Sequence, residues 1–173
     1  MFTLISFVGQ QGYTRRTMII TLPEKTTFDA ELMQYATLLD IPNFRFVKMR
    51  DELPPKPHRV ECGILNLNGH TQRGSHWTAW YKDGMQRWYF DSFGEAPPLE
   101  LLTYLKTSEE LKHDAPVIRR SAVIVQHYES NECGSLCLYV LKLLTSHVPF
   151  SRILSSLVAR YQTFPTPHLT IKL

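Results

Sequence analysis

The sequence predicts a fold of the α+β class, and three observations carry that expectation. Two aromatic-rich runs, 76–81 and 86–91, flank Lys82-Asp83-Gly84-Met85, and an Asp-Gly pair between such runs is a strong hairpin signal. Val60 to Leu67 alternates as another strand. The stretch from Ser135 to about His147 is apolar on nearly every face (Leu136, Leu138, Tyr139, Val140, Leu141, Leu143, Leu144), which is the pattern of a buried central helix.

The remaining elements follow in chain order. Phe2 to Val8 reads as a strand, Gly9 to Gly12 as turn material and Thr17 to Leu22 as a second strand. After Pro23, Thr26 and Thr27 are placed to cap a helix whose first turn holds Asp29 and Glu31, where the helix dipole favours acids. Leu32, Tyr35, Ala36 and Leu39 make its apolar face, and Pro42 ends it. Leu53 to His58, with Pro54, Pro55 and Pro57, is an extended connector. Leu99 to Lys106 is a short helix after Pro97 and Pro98, and Ser121 to Gln126 is a short continuous apolar run like a buried strand. A last amphipathic helix is expected from about Ser151 to Tyr161, with Ile153, Leu154, Leu157, Val158 and Tyr161 facing inward. The organisation expected is a single domain, residues 1–173, in which 1–27 forms N-terminal strands or an extension and 162–173 an extended tail.

Composition excludes several classes. The chain of 173 residues is long enough for one domain with a core, and no apolar run is long enough to span a bilayer, so no membrane partner is expected. The net charge of +3 is mild and the basic residues are scattered, which permits nucleic-acid contact without demanding it. Three cysteines, Cys62, Cys133 and Cys137, argue against a disulfide framework and for a reducing compartment. The apolar N-terminus lacks a basic region and a small-residue cleavage site, so a signal peptide is not expected and the protein reads as soluble and intracellular.

The residues with chemistry to offer are few. Cys133 sits where a loop becomes a helix, and a helix N-terminus supplies free N–H groups and positive potential that favour a thiolate. Gly134 beside it permits close approach of another backbone or of a substrate. Cys137, one turn later, reads as core. The hairpin brings His76, at the start of one strand, close to Asp91, at the end of the other, by antiparallel geometry alone. A catalytic imidazole needs such a partner to fix its tautomer, while Asp91 is equally placed to cap the Ser92-Phe93-Gly94 turn. Gln126, just before the cysteine loop, has an amide suited to donate to a developing oxyanion together with the Cys133 N–H. A zinc site would draw on Cys133, Cys137, His127 and His147, but short Cys-x-x-Cys pairs are absent and no metal is expected.

The order of these residues resembles that of a known group. Gly74-Ser75-His76-Trp77, then Tyr89-Phe90-Asp91-Ser92-Phe93-Gly94, then Gln126 followed seven positions later by Cys133-Gly134 is similar to the adenain-like and SUMO-protease-like cysteine peptidases (clan CE), with histidine before the acid and cysteine last. Papain-like enzymes run the other way round. Phe44 to Leu53 and Glu61 to Leu67 look like the adenain-like proteases of adintovirus-, adomavirus- and Maverick-type elements, and the resemblance covers about Leu38 to Leu144.

The resemblance implies a mixed sheet packed against a central buried helix whose N-terminus carries the catalytic cysteine. It implies cleavage of peptide bonds after small residues, often Gly, in viral structural precursor proteins, in the host nucleus or the virion, by a monomer. It implies Cys133 as nucleophile, His76 as base, Asp91 as orienting acid, Gln126 as oxyanion donor, and Trp77 as a wall of the substrate cleft. Two family features carry over differently. A disulfide-linked peptide activator needs a cysteine between the acid and the glutamine, and 92–125 has none. Stimulation by DNA is retained as an expectation for a partner. A peptidase for ubiquitin-like proteins shares the same catalytic group, and a non-catalytic virion or DNA-binding protein on the same fold is the reading from another class.

Overall fold

The structure, a computed structural model, describes the backbone of residues 2–8 and 14–17 and all atoms of 18–106, 118–163 and 165–173. The turn expected at Gly9 to Gly12 lies outside the described residues. Among the described residues the elements follow in order: β1 (Phe2–Val8), β2 (Thr14–Thr21), α1 (Asp29–Leu38), β3 (Phe44–Met49), β4 (Val60–Asn66), β5 (Trp77–Asp83), β6 (Gln86–Phe90), α2 (Leu99–Tyr104), β7 (Arg119–Arg120), α3 (Cys133–Thr145), α4 (Phe150–Tyr161) and β8 (Thr170–Lys172).

A five-stranded sheet runs β3-β4-β5-β6-β7. Its outer pairs, β3/β4 and β6/β7, are parallel, and its inner pairs are antiparallel, so the sheet is mixed. The hairpin forms where Asp83-Gly84 requires it, with Asp83 opposite Gln86. β4 is buried on both faces, which its sequence Val-Glu-Cys-Gly-Ile-Leu-Asn allows because Glu61 finds partners: its carboxylate accepts from Arg45 at 2.6 Å and from the Tyr104 hydroxyl at 2.7 Å.

The two faces of the sheet have separate covers. Cys62, Ile64, Ala79, Tyr81 and Phe90 meet Leu136, Cys137, Val140 and Leu141 of α3, while Phe46, Leu65, Trp80 and Tyr89 meet Leu101, Tyr104 and Leu105 at α2. The all-round apolar helix is therefore clamped between β4 and β5 on one side and α1 and α4 on the others. Each fully buried leucine in it contributes about 1.5–3 kcal/mol relative to exposure.

Several expectations are corrected. Ser121 to Gln126 is not a strand: β7 is only Arg119–Arg120, and the chain beyond it is irregular, with Val123 38% and Ile124 40% exposed. The pull is polar, since Ser121 Oγ accepts from the Asp91 N–H and donates to the Asp91 carbonyl, and Val125 N–H donates to the Ser92 carbonyl. The cap of α1 is Phe28, not Thr26 or Thr27, and Glu31 turns back to accept the Phe28 N–H at 3.1 Å. The segment 44–49, not recognised as a strand from its pattern, is the edge strand β3. The tail ends in β8, which joins β1 and β2 in an antiparallel three-stranded sheet, with Ile20, Leu22, Leu169 and Ile171 anchoring it to the core.

Candidate active site

One end of the five-stranded sheet gathers the candidate residues. Because β4 and β6 run against β5, the C-terminal ends of β4 and β6 lie beside the start of β5. Asn66 therefore pairs with Trp77, and His76 and Asp91 flank the same end. The His76 ring lies 4.9 Å from the Phe93 ring, which itself stacks on Tyr128 at 5.2 Å.

His76 Nε2 donates to Asp91 Oδ2 at 2.9 Å. That leaves Nδ1 as the nitrogen for the Cys133 thiol, which lines the same cleft and interacts electrostatically with the imidazole. Asp91 performs both roles its position allows. Its other oxygen, Oδ1, accepts from the N–H groups of Phe93 at 2.7 Å and Glu95 at 3.2 Å, closing the turn after β6. Gly94 in that turn has φ +78°, and an added Cβ would come within 3.1 Å of the backbone at Ala122 and Val123, so the turn needs glycine on both counts.

Burial of the imidazole, the largest single influence, lowers its pKa. The Asp91 hydrogen bond and charge, with those of Cys133, outweigh it and raise His76 to about 9. For Asp91, which is 0% exposed, burial is again the largest influence and acts upward. The His76 hydrogen bond and charge, then the Glu95 and Phe93 N–H groups, hold it below the usual carboxylate range.

Cys133 is the first residue of α3, so its N–H and those of Gly134 and Ser135 belong to the unsatisfied helix terminus. Behind it Glu132 pairs with Arg160 of α4. Gln126, 3% exposed, is held at both ends of its amide: Ser92 Oγ donates to Oε1 at 2.7 Å and Nε2 donates to the Ser130 carbonyl at 2.8 Å. This fixes which end is nitrogen and leaves the second Nε2 hydrogen available. The Ser92 and Ser130 clamp was not anticipated. Ser92 lies beside Asp91, but its meeting with Gln126 spans 34 positions and no local pattern announces it.

His76, Trp77, Gln126 and Cys133 line one cleft of about 550 Å³, with Phe28 at the cap of α1 and Asp29 in its first turn, Val47 and Met49 of β3, and Tyr128. Trp77 is anchored by its Nε1–H, which donates to the Thr27 carbonyl at 2.9 Å. Gly134 is placed differently from the expectation of a substrate contact. It is buried, and a Cβ there would come within 2.1 Å of Thr27 Oγ1 and 2.9 Å of Leu32 Cδ2. The close approach it permits is that of α1, through Leu32, and of the loop leading to it, through Thr27.

Cys137 is fully buried, with its thiol donating to the Trp77 carbonyl at 3.3 Å, as a core residue would. His127 stacks on Tyr161, and His147 lies beyond the far end of α3. Among the described residues no group of three His, Cys, Asp or Glu side chains is arranged to hold a metal ion, and no helix is long and apolar enough to cross a membrane.

No protein-family model matches the chain, and no curated protein matches it. Among solved structures it is similar to the ASFV pS273R protease. The selenomethionine crystal structure aligns at 22% identity over 58% of this chain and 40% of that one, with a TM-score of 0.43. A second crystal structure of that protease aligns at 16% identity over 73% of this chain and 58% of that one, with a TM-score of 0.48. The chain thus spans about half the length of the protease it resembles.

Proposed function

We propose that this chain is a cysteine peptidase in which Cys133 is the nucleophile. The observation that carries the reading is the imidazole of His76, bonded through Nε2 to buried Asp91 and sharing one cleft with the Cys133 thiol at the start of α3. Gln126 shares the cleft.

The thiol proton passes to His76 Nδ1, and the thiolate attacks the carbonyl carbon of the scissile bond. The oxyanion that forms takes hydrogen bonds from Gln126 Nε2–H and the Cys133 N–H. The C–N bond breaks as His76 returns its proton to the leaving amine. Water, deprotonated by His76, attacks the thioester and releases the acid and the thiol. The substrates proposed are viral structural precursor proteins, cleaved within the chain after small residues such as Gly. That part rests on the order and spacing of the motifs rather than on the shape of the cleft.

The test is incubation with a panel of peptides carrying Gly, Ala or bulky residues at the scissile bond, in reducing buffer, before and after thiol alkylation. Cleavage after Gly that alkylation blocks is the expected result. Cleavage that survives full alkylation of Cys133 overturns the nucleophile. Gln126→Ala is expected to lower kcat by roughly a hundredfold or more with little change in KM, because the lost donor acts on charge that exists only in the transition state. A rate within a few-fold of the parent would remove Gln126 from the oxyanion site.

A further inference from the structure

Three side chains that line the cleft bury a polar atom with no hydrogen-bond partner: Thr27 Oγ1, Asn66 Nδ2 and Ser130 Oγ. A buried polar atom left unpaired is destabilising, so native proteins keep few, and a cleft built to receive a polar ligand is one place where they persist.

Asn66 is the most informative of them. It is 1% exposed, and its Oδ1 accepts from the N–H groups of Asn68 at 3.0 Å and Ser75 at 3.2 Å. Turning the amide over would set its NH2 against two donors, so the unpaired atom is a donor and calls for an acceptor. Gly74 passes beside Nδ2 without a side chain, and a Cβ there would approach it to 3.0 Å.

The sheet places this donor relative to the reacting groups. Met49, Asn66 and Trp77 form one row across β3, β4 and β5, and His76 immediately precedes Trp77. Gln126 is reached on the other side of His76, through Ser92 beyond β6. Neighbouring strands lie about 4.8 Å apart and extended peptide rises about 3.3 Å per residue. A peptide crossing the cleft over His76 and Cys133 therefore brings a main-chain carbonyl to Asn66 one or two residues from the scissile bond. Trp77 cannot serve that carbonyl, because its Nε1–H is already given to Thr27.

We propose that Asn66 is a substrate-binding residue whose Nδ2–H donates to a main-chain carbonyl of the bound peptide. The inference rests on the peptidase reading above. Recognition of main chain makes its contribution independent of the side chains of the substrate.

Asn66→Asp keeps an acceptor for Asn68 and Ser75 and replaces the amide donor with a carboxylate oxygen and its charge, so Asn66→Leu, which removes the donor without a charge, is measured beside it. The experiment measures kcat, KM and melting temperature for the parent and Asn66→Asp. The substrates are the peptides the parent cleaves, and esters that replace the amide following each of the two candidate carbonyls and so weaken that carbonyl as an acceptor. KM is expected to rise about tenfold or more in Asn66→Asp, equally across the peptides, with kcat within a few-fold, in protein that still unfolds cooperatively although the buried charge lowers its melting temperature. The parent should lose about tenfold on one of the two esters, and the variant should be indifferent to it. Parent-like kcat/KM in Asn66→Asp, or the same ester penalty in both proteins, overturns the proposal and confines Asn66 to holding the 67–75 loop. A parent that cleaves none of the peptides overturns the peptidase reading itself, and the assignment of Asn66 falls with it.

Discussion

Peptide cleavage by Cys133→Ala is expected to fall to background, a loss of roughly 10⁴-fold or more in kcat. Two features make the loss complete rather than partial. The thiol is the atom that forms the covalent bond, and alanine offers nothing in its place. The other two cysteines cannot substitute for it. Cys137 is buried, its thiol is tied to the Trp77 carbonyl, and burial raises its pKa well above the ordinary value. Cys62 lies in the core at β4, where burial pushes its thiol up to about 12. The same contrast predicts that mild alkylation adds one label to the folded parent and that peptide mapping finds it on Cys133. The variant should melt within a few degrees of the parent, because Cys133 is only partly buried and its helix is held by the leucines behind it. Residual cleavage at even a hundredth of the parental rate, in protein free of parent, would mean that another residue attacks the substrate.

How much of this site was readable beforehand depended on whether the signal was local. Asp83-Gly84 dictates a two-residue hairpin, a hairpin dictates register, and register brings His76 and Asp91 together, so a contact across 15 positions followed from four residues at the turn. Cys133 at the head of α3 was equally local, since the apolar run behind it marks the helix. The helix begins two residues earlier than its apolar pattern indicates, because Cys133 and Gly134 carry no periodicity.

Apart from the α1 cap, which Glu31 sets locally at Phe28, the misreadings share one cause, which is that they depend on distant partners. Ala122-Val123-Ile124 has the composition of a buried strand, yet Ser121 and Val125 are claimed by Asp91 and Ser92, and the apolar residues between them are left partly exposed. β3 mixes Phe44, Arg45, Phe46, Val47 and Lys48 without clean alternation, since Arg45 is drawn to Glu61 and Tyr104 rather than to solvent. Gly134 announced a close approach correctly but not its object, which is Thr27 from more than a hundred positions earlier. Asn66 carried no sequence signal, because its meaning lies in one amide oxygen being used twice while the nitrogen is unused.

Asp91→Asn should cost about 10²–10⁴-fold in kcat near neutral pH, with the fold preserved. The amide oxygen can still accept from Phe93 and Glu95 and hold the turn, so the change is concentrated on the imidazole. An NH2 facing Nε2 makes that nitrogen an acceptor and moves the neutral ring's proton to Nδ1, where the thiol proton has to go. The pH dependence carries an independent sign. His76 is raised from 6.5 to about 9, so the stability its pairing contributes is fully present below about 6.5 and is lost as pH rises through about 9. Asp91 is lowered from 3.8, so its contribution is present above that value and is lost as pH falls through its folded-state pKa. The pair therefore stabilises the fold most between about pH 4 and 6.5, and Asp91→Asn should flatten melting temperature on both sides of that window. His76 also loses its carboxylate in the variant, so its titration, followed by NMR of the ring protons, should drop below the parental value of about 9. A variant that keeps both the parental His76 titration and the parental kcat would show that Asp91 serves the turn alone.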